Sequence, residues 1–302
     1  MDINNSKPEQ DRKSIVNSDS VADIIRRRFS CRTYLNQPIE IELKKPLDEY
    51  ASSVQNGPFG TQARFKLVDA SRADQNSLRR LGTYGFIKGA TGFLIGATTQ
   101  ADDNLEDFGY LMEKIVLYAT GLGLGTCWLG GTFTKSSFAK RISAGNGEIV
   151  PAVVSVGYIA EKPRMIETLL RKQPDPDNRF PWEKLYFDGD FGIPLKRESL
   201  GDYELPLSML RLAPSASNRQ PWRVVVQENK FHFYLQRTPG YRESWLVRLT
   251  TVADLQRIDM GIALSHFELM AEELGLAGCW ETNEPDISKS NDWTEYVISW
   301  VS

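Results

Sequence analysis

Apolar positions recur along this chain in two rhythms. Leu111, Ile115 and Tyr118, and later Ile262, Phe267 and Met270, fall at helical spacing, and each series runs through a Leu-Gly stop into a short stretch carrying a Trp. The pattern predicts a long helix, a tight turn and a strand, twice. Further strands are predicted over Gly92 to Ala97, Pro151 to Ile159, Phe231 to Leu235 and Tyr296 to Val301, with His232 on the face opposite Phe231 and Phe233. Leu207, Met209, Leu210 and Leu212 predict another helix, entered at Pro206 and ended by Pro214, and Val224 to Val226 a buried strand. Near the N-terminus Ser20-Val21-Ala22-Asp23 reads as a capping box with Asp in place of Glu, followed by the apolar face of Val21, Ile24 and Ile25. Helices and strands alternate unevenly, which predicts an α+β fold rather than a doubly wound sheet.

The two helix-turn-strand units are copies. Leu122-Gly123-Leu124-Gly125-Thr126-Cys127-Trp128 recurs as Leu274-Gly275-Leu276-Ala277-Gly278-Cys279-Trp280, 152 residues later. At the same offset Asp107 matches Asp259, Gly109 matches Gly261, Leu117 matches Leu269 and Ala119 matches Ala271. Gln62 and Val68 precede Gln220 and Val226 by 158 residues. The segment before Gln220 thus has a degenerate counterpart, Gly57-Pro58-Phe59-Gly60, with Gly60 where Asn218 stands and Arg64 where Trp222 stands. Between the copies runs Gln173 to Pro194, whose prolines predict an extended connector and whose Phe180, Trp182, Tyr186 and Phe187 predict that it packs along a surface. The division expected is residues 1–172, a connector over 173–198 and residues 199–302, with about the first 18 residues flexible.

Two segments carry candidate chemistry. Pro214-Ser215-Ala216-Ser217-Asn218-Arg219-Gln220-Pro221-Trp222 concentrates hydroxyl and amide groups between a helix and a strand, a composition suited to a heteroatom-rich ligand. It is equally the composition of an Asn/Ser turn joining two core elements. Arg28-Phe29-Ser30-Cys31-Arg32 follows the first helix, and in an extended chain it sets Arg28, Ser30 and Arg32 to one side, where they would grip a phosphate or a carbonyl-rich ring. The alternative is a solvated basic helix end that complements its dipole.

Composition narrows the classes. A net charge of −3 with dispersed Lys and Arg excludes a nucleic-acid groove, and no apolar run approaches the roughly 18 residues a membrane span needs. Three widely spaced cysteines, Cys31, Cys127 and Cys279, argue against a disulfide framework and read as packing residues in a reducing, cytoplasmic setting. His232 and His266 have no companions at metal-ligand spacing, so no metal site and no Ser-His-acid triad is expected.

Together these segments resemble the FMN-dependent nitroreductase family, from about Val21 to the C-terminus. Arg28 to Arg32 resembles its Arg-x-Ser-x-Arg/Lys motif, and Pro214 to Trp222 its Pro-Ser-x-x-Asn-x-Gln-Pro-Trp loop. Leu129-Gly130-Gly131, after the Gly-Leu-Gly strand, resembles the segment whose amides face the flavin N5. Arg179-Phe180-Pro181 resembles the Arg-x-Pro stretch near the phosphate. Asp177 stands where the family has Lys, and Thr83 and Phe86 fall near its Asn and Lys.

The resemblance implies a tandem fusion: two nitroreductase-like halves in one chain, each an antiparallel-rich sheet flanked by helices, forming a monomeric pseudo-dimer. Only one pairing of motifs is complete, so it implies one FMN per chain. The cofactor-binding residues implied are Arg28, Ser30, Arg32, Leu129, Gly130, Gly131, Arg179, Pro214, Ser215, Ala216, Asn218 and Gln220. Arg28 and Arg179 would hold the phosphate, Ser30 and Asn218 the ribityl or pyrimidine atoms, Arg32 the N1 and C2-oxygen edge, and a Gly130 or Gly131 amide would reach N5. The implied reaction is ping-pong hydride transfer from NAD(P)H (NADPH included) through FMN to a nitroaromatic, quinone or other small acceptor, with no protein acid or base assigned. A flavin- or small-ligand-binding protein without turnover is the alternative.

Overall fold

Ser20 caps the first helix, α1 (Val21–Arg27), by accepting the Asp23 N–H at 3.1 Å. The capping box is half formed, since the Asp23 carboxylate turns to Arg26 instead of closing back on the cap. The remaining helices are α2 (Ile41–Ser53), α3 (Asn104–Gly121), α4 (Lys135–Arg141), α5 (Glu204–Arg211) and α6 (Leu255–Glu273). The structure, a computed structural model, describes residues 19–70, 87–130, 135–160, 178–240 and 253–302. The expected flexibility of the first 18 residues, and the readings at Thr83, Phe86, Gly131 and Asp177, lie outside the described residues.

Two sheets flank the long helices. One holds β1 (Ala63–Asp69), β2 (Gly92–Thr99), β3 (Gly125–Leu129), β4 (Glu148–Ile149) and β5 (Val153–Gly157), ordered β1-β2-β5-β3 with β4 also on β2. The other holds β6 (Tyr186–Asp188), β7 (Trp222–Gln227), β8 (Lys230–Gln236), β9 (Cys279–Glu281) and β10 (Thr294–Val301), ordered β6-β7-β8-β10-β9. Leaving β6 aside, both sheets are antiparallel and run first, second, last, third in chain order. This is the α+β arrangement the uneven alternation predicts.

The connector behaves differently from its expected surface course. Tyr186, Phe187 and Asp188 pair in parallel with Val224, Val225 and Val226, so β6 is an edge strand of the second sheet. Trp182, Leu185 and Tyr186 are buried. The Trp182 indole donates to Leu195 O at 2.8 Å and the Tyr186 hydroxyl to Leu207 O at 2.7 Å, which satisfies their polar atoms inside the core. Four apolar rings offer more burial in the core than a surface groove can give, and the chain uses them as anchors. Cys31 and Cys127 pack inside as expected, whereas Cys279 is exposed, because β9 is the free edge of its sheet.

The repeated Leu-Gly stop has a geometric cause. Gly123 and Gly275 follow α3 and α6 with φ of 79° and 70°, a conformation that costs glycine nothing. In each case the next residue closes the helix end, Leu124 N–H on Ala119 O at 3.0 Å and Leu276 N–H on Ala271 O at 2.9 Å.

The long helices α3 and α6 pack on each other, nearly all of their residues buried. A side chain at Gly109 would strike the Ile258 carbonyl, and one at Gly261 would strike the Glu106 carbonyl. Ile258 lies 152 residues after Glu106, and Gly261 the same distance after Gly109, so this is one contact made twice about a local two-fold axis. Backbone meets backbone there, and neither helix has a flexible atom that could yield. Gly109→Ala and Gly261→Ala are each expected to lower the unfolding free energy by about 3 kcal/mol or more in urea titrations. A loss below about 1 kcal/mol in both variants would contradict this close crossing.

Candidate functional site

Arg28 leaves α1 in an extended conformation, and the segment after it runs beside β3, where Cys31 N–H donates to Thr126 O at 2.8 Å. This sets Ser30 and Arg32 in the lining of a cleft of about 260 Å³ between the β3 end of the first sheet and α6. From the first part of the chain the cleft is lined by Ser30, Arg32, Cys127, Trp128, Gly130 and Ala152, and from the later part by Pro214, Ser215, Ala216, Ser217, Leu255, Ile258, Asp259 and Ile262. Apolar side chains and polar groups both line it, a mixture suited to a heteroatom-bearing ring. A side chain at Gly130 would meet the Leu255 side chain across the cleft.

The loop opposite Arg32 is held in an unusual shape. Ser217, Asn218 and Gln220 have φ of 52°, 52° and 49°, left-handed values that non-glycine residues seldom adopt. Three sets of bonds impose them. Ser215 Oγ accepts the Gln220 N–H at 2.9 Å, Asn218 N–H donates to Ser215 O at 2.9 Å, and the buried Asp259 takes the Ala216 N–H with both carboxylate oxygens at 3.0 Å. Burial pushes the Asp259 carboxyl well above the usual carboxylate range, against the pull of the Ala216 amide. Asp107, its counterpart in the repeat, does the same for the degenerate loop, accepting from Phe59 N–H at 2.9 Å and Thr61 N–H at 2.7 Å.

The predicted residues divide into three groups. Ser30, Arg32, Gly130, Pro214, Ser215 and Ala216 meet at the cleft. Arg179, Asn218 and Gln220 form a second group that ties the connector to the loop. Arg179 donates to Asn218 Oδ1 at 2.7 Å and to Leu212 O at 3.0 Å, Asn218 Nδ2 donates to Asn178 O at 2.9 Å, and Phe180 N–H donates to Gln220 Oε1 at 2.8 Å. Arg28 and Leu129 stand behind the cleft: Leu129 is buried in β3, and the Arg28 side chain runs inward to Glu113, with Nε 3.8 Å from its carboxylate. Burial lowers the Arg28 pKa, against the nearby Glu113 charge. Gly131 lies outside the described residues.

Arg32 differs from the other arginines of this region. It is half-buried at the cleft, and among the described residues its side chain makes no ion pair and no hydrogen bond. A cation held there without a counter-charge marks a place for an anionic or electron-rich group. Among the described residues no group of three His, Cys, Asp or Glu side chains is placed to hold a metal ion, and no helix is long and apolar enough to cross a membrane. Sequence reasoning missed Asp259 as the loop's anchor, although its match to Asp107 in the repeat was the available signal; Ile262 read only as part of a helix's apolar face, and Leu255 and Ile258 were not singled out.

A family model described as "Putative TM nitroreductase" matches residues 20–271. The chain belongs to this nitroreductase family. Among solved structures it is similar to a Thermotoga maritima protein described as a putative nitroreductase, at 18% identity over 95% of both chains with a TM-score of 0.60, a likeness of fold. A nitroreductase with bound FMN from Desulfitobacterium hafniense matches 49% of this chain and 93% of its own at 20% identity and TM-score 0.41. One from Bacteroides fragilis, also with bound FMN, matches 49% and 92% at 18% identity and TM-score 0.38. No curated protein matches the chain.

The residues 152 positions before the cleft's α6 residues have a different character. Leu255, Ile258 and Ile262 correspond to Asp103, Glu106 and Tyr110. Arg257 reaches two of these, donating from Nε to Glu106 at 2.6 Å and from Nη2 to Asp103 at 3.2 Å. Burial raises Glu106 to about 7, against the opposing pull of Arg257. The folded chain therefore keeps a proton that the unfolded chain, at the ordinary value of 4.5, has released, and stability falls as pH rises between those values. In urea titrations Glu106→Gln is expected to reduce the loss of unfolding free energy between about pH 5 and pH 8 by about 1–3 kcal/mol. An unchanged pH slope would contradict the buried, proton-holding carboxyl.

Proposed function

We propose that this member of the nitroreductase family is an FMN-dependent oxidoreductase that uses NAD(P)H to reduce a small acceptor such as a nitroaromatic or quinone. The observation that carries the reading is Arg32: a half-buried cation with no counter-ion among the described residues, lining one cleft with Ser215, Ala216 and Ser217 of the strained loop. The donor set suits FMN. When bound, that cofactor supplies the hydride carrier that NAD(P)H reduces and the acceptor reoxidises in turn.

The chain's own residues then have distinct tasks. Arg32 would offset negative charge at the pyrimidine edge of the bound cofactor, and the Gly130 segment would offer a backbone amide to its N5. Ser30 and the 214–217 loop offer hydroxyl and amide donors. Arg179 and Asn218, bonded to each other at the loop's outer end, are the candidates for phosphate and ribityl, and Arg28 adds positive charge one layer behind. Leu255, Ile258 and Ile262 exclude water from one face.

In this reading residues 1–172 and 199–302 stand for the two subunits of a dimer, joined by 173–198, and the protein acts as a monomer. The matching strand orders and the twice-made glycine contact support it. The Glu106–Arg257 pair supports a single working cleft, because it replaces apolar wall with buried charge.

The purified protein is expected to be yellow or to turn yellow with FMN, and to consume NAD(P)H only when an acceptor is supplied. Asn218→Ala and Arg28→Ala are each expected to weaken FMN binding about tenfold or more in fluorescence titrations. A protein that takes up FMN without oxidising NAD(P)H in the presence of nitroaromatics or quinones would leave a binding protein only. Wild-type FMN affinity in both variants would refute the site.

A further inference from the structure

Directly behind the cleft, Glu113 of α3 is a completely buried carboxylate with donors on three sides. Oε2 accepts the Trp128 indole N–H at 2.7 Å, while Oε1 lies 3.1 Å from His266 Nε2 and 3.8 Å from Arg28 Nε. His266 Nδ1 faces Met209 O at 3.1 Å, and a carbonyl only accepts, so Nδ1 carries a proton. Nε2 then confronts the carboxylate, and a proton must lie between them, since two lone pairs would repel. Glu113 thus joins two residues of the Arg28–Trp128 side, one of them a wall of the cleft, to α6 across the helix crossing.

The repeat provides an internal control. Trp280, the counterpart of Trp128, also donates to a helix carboxylate, Glu268, at 2.9 Å. Its other partner across the crossing is the neutral Tyr110 hydroxyl, and among the described residues no cation pairs with Glu268. An indole's need for an acceptor is therefore met on both sides, but a guanidinium accompanies the carboxylate only where the cleft is. The arrangement goes beyond what the fold needs for its tryptophans.

From this contrast we infer that Glu113 is a positioning residue for the cofactor cleft, fixing the Arg28 guanidinium and the Trp128 ring behind the ligand. The inference rests on the flavin reading of the cleft. Buried ion pairs are costly to assemble and seldom kept for stability alone, whereas a carboxylate that restrains a functional cation has a use for that cost.

Glu113→Gln separates the two roles. Its amide oxygen still accepts from Trp128, and its amide N–H donates to a neutral His266, so the hydrogen bonds persist while the counter-charge of Arg28 is lost. His266→Gln keeps the carboxylate and both first-side contacts. In FMN fluorescence titrations of the full chain, Glu113→Gln is expected to raise Kd about tenfold, with a thermal midpoint within about 5 °C of wild type, while His266→Gln stays within about threefold in Kd. In the cofactor-free protein the nitrogen-15 side-chain signal of Arg28 is expected to move in Glu113→Gln. An unmoved Arg28 signal overturns the inference whether or not FMN binds, and so does an unchanged Kd in Glu113→Gln. Failure of the wild-type protein to take up FMN, with the Arg28 signal moved, would count against the flavin reading and leave the positioning of Arg28 standing.

Discussion

The contact of α3 with α6 at Gly109 and Gly261 is the constraint on which the rest of the molecule depends. Each helix brings a main-chain carbonyl against the bare Cα of the other, so their separation is fixed by backbone rather than by adjustable side chains. Everything near the cleft is referred to that distance. Asp259 and the apolar residues at 255, 258 and 262 belong to α6, whereas Trp128 and Gly130 follow from α3 through β3. A shift of one helix against the other would move one wall of the cleft past the opposite wall.

On this rigid crossing the chain suspends two less favourable features. One is a loop with three non-glycine residues in the left-handed region, restrained by Ser215, Asp259 and the connector. The other is the half-buried Arg32, which has no counter-charge among the described residues. Left to local preference, the loop would relax and the cation would find a carboxylate. The bonds around the loop hold its shape, and its Ser217 meets Arg32 at the same cleft. Around the corresponding positions of α3, by contrast, Arg257 has carboxylate partners in Glu106 and Asp103.

Much of this was legible in the sequence because the signals were local. The Leu-Gly stop repeats since a helix end followed by positive φ admits few residues but glycine, and the Ser, Asn and Gln of the loop are the side chains that can tie such a turn to itself. The pattern of apolar positions located α3, α6 and the strands β2, β3, β5, β7, β8, β9 and β10 for the same reason. What the sequence hid depends on partners far along the chain. Glu113 and His266 look like solvated polar positions on apolar helices until the helices are laid together. β6 carries too few residues for any periodicity to show, and its place at the edge of β7 arises from burial of Trp182 and Tyr186. The loop residues Asn218 and Gln220 read as ligand groups, and their bonds to Asn178, Arg179 and Phe180 became visible only when the connector was seen to pass beside them.

On the function proposed, this one chain builds a single flavin cleft between two unlike copies of a repeated unit. Titration of the purified protein with FMN, with bound flavin measured by absorbance against protein concentration and oligomeric state by light scattering, tests it most directly. A monomer that saturates at one FMN per chain is the predicted result. Saturation at two per chain, or binding that appears only when two chains associate, would contradict it.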